Sequence, residues 1–205
     1  MAINAFQNVT PGAKLALVNN KLGNPSLKKN QGSSVELYDY VEITSPGSAE
    51  TIRFFQDVNT HAWPYSNINQ NQLQVGEALA IEYIFFTRME TETTSAGVTT
   101  ITKWDSLINT QGSLTLAQFN FLLDNSRIIK NNSLARTNTV FNVKGATAYN
   151  FVFYPDTDLT LPPQINFIGE LRIPANSDTI TEGKKLYYGC HILGTGAILN
   201  LKTNV

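Results

Sequence analysis

The stretch Val35-Glu36-Leu37-Tyr38-Asp39-Tyr40-Val41-Glu42-Ile43 decides the fold class. Apolar and polar side chains alternate along it almost without a break. A period of two belongs to a β-strand with one face on a core and one face wet, because successive side chains point to opposite sides. Ser45-Pro46-Gly47-Ser48 has the chemistry of a turn, and Thr51-Ile52-Arg53-Phe54-Phe55 returns as a second strand. From Asp57 to Gln74 the chain is polar and irregular, a long surface connection pinned by Trp63 and Tyr65 around Pro64.

Further along, Ala78-Leu79-Ala80-Ile81-Glu82-Tyr83-Ile84-Phe85-Phe86 is the most apolar run. Its aromatic and β-branched content predicts a central strand, with a short buried helix as the alternative because Ala, Leu and Glu also favour helix. Thr91 to Thr100 reads as a hairpin turning at Ser95-Ala96-Gly97, and Trp104 to Ile108 as one helical turn. Alternation resumes from Ser113 to Leu123 with a slip near Ala117, and Asp124-Asn125 turns the chain into Arg127-Ile128-Ile129. The last third holds strands at 139–143, 148–154, 165–168, 170–173, 185–193 and 197–201. Residues 155–163 read as a loop and Gly194-Thr195-Gly196 as the closing turn. About ten short strands and no helix of ordinary length predict an all-β, antiparallel two-sheet sandwich or barrel with long loops.

Composition agrees. Charged residues make up 15% of the 205-residue chain. Asn and Thr are each roughly a tenth of it, which suits half-buried β-surfaces better than long helices. The length fits one domain with a substantial core. No apolar run approaches the roughly 20 residues that span a bilayer, and Lys14 interrupts the apolar part of the first residues, so neither a span nor a signal peptide is expected. Cys190 is the only cysteine, which excludes an internal disulfide and a cysteine-based zinc site and points to a reducing compartment.

The net charge of -1 is unevenly spread. Glu36 is the first acidic residue, and Lys14, Lys21, Lys28 and Lys29 precede it. Residues 1–34 therefore read as a weakly basic segment ahead of a β-domain at 35–205. It is either a solvated tail with an irregular first strand, or an extended arm that touches a neighbouring subunit or acidic partner through those lysines. Its charge is too small for strong nucleic-acid binding.

Catalytic chemistry is sparse. His191 adjoins Cys190 in an apolar run, and strand neighbours face opposite ways, so the two make a poor nucleophilic pair. His61 lies in the polar loop before Trp63. No close metal-ligand spacing exists; Asp156-Thr157-Asp158 matches the start of a calcium loop but lacks its glycine and distal glutamate. Glu90 and Glu92 share a strand face that reads as solvated. No dinucleotide, phosphate-binding or nucleophile-elbow motif is present. No catalytic, metal or cofactor residue is assigned.

Several segments together resemble a known family. The Phe54-Phe55 strand is followed by Asn67-Ile68-Asn69-Gln70-Asn71, and Leu73-Gln74-Val75-Gly76-Glu77-Ala78-Leu79 leads into the apolar strand. Ser113-Leu114-Thr115-Leu116 precedes Phe119-Asn120-Phe121 and Arg127-Ile128-Ile129, and Leu161-Pro162-Pro163 leads to the final strands. From about residue 50 onward this resembles the jelly-roll capsid proteins of tailless icosahedral bacteriophages, including lipid-containing ones. The resemblance implies a single jelly roll of about eight to ten strands and a self-assembling, non-catalytic virion subunit, whether major, penton or accessory. Its partners would be copies of itself and other virion proteins. Its place would be the virion, assembled in the host cytoplasm, with membrane contact allowed but not spanning. A carbohydrate- or receptor-binding β-sandwich is the alternative, motivated by Trp63 and Tyr65 as stacking residues and by the Asp156 to Asp158 loop. A β-sandwich lyase or hydrolase would need His61 clustered with carboxylates.

Overall fold

The alternating stretch at 35–43 forms most of β1 (Asn30–Glu42), which begins five residues ahead of it. The computed structural model describes residues 30–56, 63–68, 70–107, 116–134, 138–143, 146–155 and 157–199. After β1 come β2 (Glu50–Phe54), β3 (Glu77–Thr93), β4 (Thr99–Ser106), β5 (Gln118–Leu123) and β6 (Ser126–Ser133). Then follow β7 (Asn138–Val143), β8 (Ala146–Phe153), β9 (Leu159–Leu161), β10 (Phe167–Ile173) and β11 (Lys184–Leu199). The fold is all-β, with two antiparallel sheets packed face to face. One has seven strands in the order β1-β11-β3-β8-β7, with β4 and β9 also on β3; the other has four in the order β2-β10-β5-β6.

The core lies between the sheets. Leu37, Ile84, Phe86, Tyr188 and Ile192 come from the large sheet, and Phe54, Phe119, Phe121, Ile129 and Leu171 from the small one. Phe86 joins the layers, its ring 6.0 Å from Phe54 and 4.9 Å edge-on from Phe119. Offset and edge-to-face rings of this kind add to burial because the negative face of one meets the positive edge of another.

The run at 78–86 is a strand, not a helix. Its helix-like apolar density has a β explanation. Opposite Leu193 and Gly194 the register shifts, Tyr83 pairing with Leu193 and Ile81 with Gly194, so Glu82 is an extra residue. A bulge reverses which side the following residues face. Leu79 and Ile81 before it, and Ile84 and Phe86 after it, thus all reach the core.

Gly194-Thr195-Gly196 is strand interior and not a turn. β11 runs through it, pairing with both β1 and β3. A Cβ at Gly194 would lie 1.9 Å from the carbonyl oxygen of Ala80. The glycine is needed for close backbone approach rather than for a reversal of the chain. Three smaller corrections share one cause, that pairing partners distant in sequence extend or join strands. Trp104 to Ser106 belong to β4; β9 sits within the loop expected at 155–163; and the two strands expected at 165–173 are the single β10. The shift expected near Ala117 lies instead around Asn120, whose side chain accepts from Asn131 N at 2.7 Å. The turns at Gly97 and at Asp124-Asn125 stand where their residues placed them, with φ of 79°, 47° and 61°.

Candidate functional site

Alternation puts the wet side of β1 on the outer face of the large sheet. Cross-strand pairing sets Tyr38 beside His191 and Tyr40 beside Gly189, and continues to Phe85 and Thr87 of β3. Trp104 of β4 lies beside Met89. This face is aromatic rather than simply polar: Tyr40, Met89 and Tyr187 are buried, with Tyr38 and Tyr65 packed on them.

The connection carrying Trp63 and Tyr65 covers the free edge of β1. Tyr40 N donates to Tyr65 O at 2.8 Å, Tyr38 N to Asn67 Oδ1 at 2.9 Å, and Asn67 Nδ2 to the Glu36 carbonyl at 2.6 Å. Asn67 thus occupies edge groups that would otherwise invite another strand. The cis Trp63-Pro64 bond precedes Tyr65, whose ring stacks on Tyr187 at 4.7 Å. Between this loop and β4 a groove of about 370 Å³ remains, lined by Tyr38, Tyr65, Trp104, Glu36, Thr91 and His191 among others.

His191 anchors one end. Its ring stacks on Phe85 at 4.5 Å and 7°. Nδ1 is 2.9 Å from Glu36 Oε1, and Nε2 is 3.0 Å from the Tyr40 hydroxyl and 3.1 Å from Thr87 Oγ1. Trp104 Nε1 donates to the Tyr40 hydroxyl at 3.1 Å. One neutral tautomer satisfies the line: Trp104 N–H to Tyr40 O, Tyr40 O–H to Nε2, and Nδ1–H to Glu36. Gly189 makes room for it, since a Cβ there would lie 2.5 Å from both Tyr40 Cε1 and Thr87 Oγ1. Carboxylate, imidazole and hydroxyl occur in the order of a nucleophile-activating triad. Here, however, both hydroxyl-bearing side chains are buried, so the line orients the protein's own rings.

Burial pushes the His191 pKa below its ordinary value of 6.5, against the opposing pull of Glu36. The unfolded chain then binds this proton more readily than the folded one. Stability from this site is therefore complete above about pH 6.5 and is lost as the pH falls toward the folded value. Urea melts from pH 7.5 to 5 are expected to show falling stability, and His191→Gln should flatten that slope. An identical slope in the variant would exclude His191 as its source.

The sequence-nominated residues scatter. Tyr65 joins the groove, but Trp63 is 80% exposed and is not among its lining residues. Lys14, Lys21, Lys28, Lys29, His61 and Asp156 lie outside the described residues. Cys190 faces the core, opposite His191, and burial raises its thiol pKa well above the ordinary value. Glu90 corrects the reading of a solvated face: it is buried, because the bulge in β3 turns it inward beside Arg88, while Glu92 stays exposed near the strand end. The residues that sequence reasoning passed over are Glu36, Tyr38, Tyr40, Thr91 and Trp104. One signal was present: the wet side of β1 carries two tyrosines, large for a face meant only for water. The chain matches no protein-family model, curated protein or solved structure.

Proposed function

We propose that this chain is a self-assembling structural subunit of a viral shell, built as one jelly roll and without a catalytic role. One observation carries the reading, the nesting of strand pairs. β1 pairs with β11, β2 with β10, β3 with β8, and β5 with β6, so outer pairs enclose inner ones along the chain. The main strands fall into the orders β1-β11-β3-β8 and β2-β10-β5-β6. A long antiparallel ribbon rolled over itself would give such nesting, and jelly rolls of viral capsid and lectin domains are two-sheet antiparallel folds, so the nesting supports the reading. Trp63, Val75, Ile101 and Leu116 are exposed apolar side chains on separate segments, an arrangement suited to contacts with several neighbours.

Electron microscopy and light scattering across protein and salt concentration test the reading. Higher-order assemblies are expected, and a species that stays monomeric throughout would overturn it. The arm is tested by deleting residues 1–29, since β1 starts at Asn30 and a longer deletion would also remove its pairing with β11. Loss of assembly with the fold intact is expected; unchanged assembly removes the arm from the account.

A further inference from the structure

The groove on the outer face of the large sheet has a composition that shell assembly does not explain. Its volume, about 370 Å³, falls within the roughly 300–1,000 Å³ of small-ligand sites. Among the described residues lining it there is no lysine or arginine, and one carboxylate, Glu36. Glu36 gives Oε1 to His191, which leaves Oε2 as an acceptor at the rim. Trp104 is 53% exposed although its indole nitrogen is already held by Tyr40. Its ring is thus fixed in place with surface to spare.

Thr91 supplies the independent observation. It is 2% exposed, it lines the same groove, and its Oγ1 is the one buried side-chain oxygen among the described residues with no hydrogen-bond partner. A buried hydroxyl without a partner costs free energy that valine, of the same shape, would not incur. A change of χ1 to another staggered well carries the oxygen to a new position on the wall of the groove that Thr91 lines, and this is the step by which it would meet a ligand.

The occupant must therefore offer an apolar face to a fixed ring and hydroxyls to a carboxylate and a threonine. An anion is disfavoured by Glu36. A purely apolar ligand leaves Glu36 and Thr91 unanswered. A small organic cation would satisfy Glu36 and the rings but not Thr91. A pyranose has both parts, C–H groups on one face that complement the negative face of an aromatic ring, and hydroxyls at its edge. We propose that this groove binds a neutral saccharide, one or two units of a glycan, stacked on Trp104 and hydrogen-bonded through Glu36 and Thr91.

The full chain is tested on an array of neutral, sialylated and sulfated glycans, then titrated with lactose, cellobiose, N,N′-diacetylchitobiose and choline. Saturable binding to at least one neutral saccharide is expected. Trp104→Ala should weaken it at least about tenfold. Thr91→Val should weaken it by about tenfold with no loss of thermal stability. Trp63→Ala should leave it unchanged. No saturable neutral-saccharide binding, binding of choline or anionic glycans alone, or binding that survives Trp104→Ala would each overturn the proposal. Binding is read on whatever assembly state the protein has, so its failure is separate from failure of the shell reading.

Discussion

Replacing Asp178 by alanine is expected to destabilise the fold by about 3–5 kcal/mol, the usual cost of breaking a buried ion pair from one side. Its side chain is 1% exposed and that of Arg88 4%. Arg88 Nε lies 3.0 Å from Asp178 Oδ2, and Nη2 lies 2.9 Å from Oδ1. Nη2 also donates to the Thr179 carbonyl at 2.9 Å, while Nη1 reaches Glu90. The Tyr188 hydroxyl donates to Asp178 as well, and burial together with this carboxylate raises the phenol pKa, so it stays a donor. Alanine would leave Arg88 Nε and the Tyr188 phenol without their carboxylate away from water. The segment between β10 and β11 would then be tied to Arg88 of β3 through the Thr179 carbonyl and no longer through Asp178. Asp178→Asn keeps the shape without the charge and should cost less. Urea denaturation followed by tryptophan fluorescence measures both, and a loss below about 1 kcal/mol for Asp178→Ala would show that water or neighbouring groups replace the carboxylate.

Gly194→Ala is expected to be at least as damaging, on the order of 4 kcal/mol, with a melting temperature lowered by roughly 10 °C or no soluble protein. The new methyl group would meet the Ala80 carbonyl, its oxygen at 1.9 Å and its carbon at 2.9 Å. These are backbone atoms of the paired strand and cannot turn aside as a side chain can. Gly97→Ala is the control. That glycine has a φ of 79° and open space around it. Only the strain of a left-handed residue is incurred there, about 1–2 kcal/mol. If Gly194 belonged to a turn, the two variants would behave alike. Equal melting temperatures would therefore contradict the continuous β11.

The contrast between these glycines shows how far local reading reaches. Gly97 sits among Thr and Ser residues with a short return, so its conformational freedom is visible in its neighbours. Gly194 carries no such mark, because its constraint is the backbone of Ala80, more than a hundred residues earlier. The groove is similar. Glu36 and Tyr40 were visible as one side of an alternating strand, but their partner His191 lies 155 and 151 residues away. Nothing in the neighbourhood of His191 points to them. Trp63 and Tyr65 were nominated together as aromatics in a polar loop. Pairing with β1 drew Tyr65 onto the sheet and left Trp63 in solvent.

By itself the sequence determined the fold class, most strands and the turns at Gly97 and Asp124-Asn125, because strand period and turn chemistry depend on neighbouring residues. The tertiary structure alone decided the strand order and the bulge at Glu82. It also decided the inward ion pair of Arg88 and the joining of Glu36, Tyr40, Thr91, Trp104 and His191 around one groove. Antiparallel pairing between distant strands carries no local signature, and it is that pairing which chooses the face and the neighbours of every side chain.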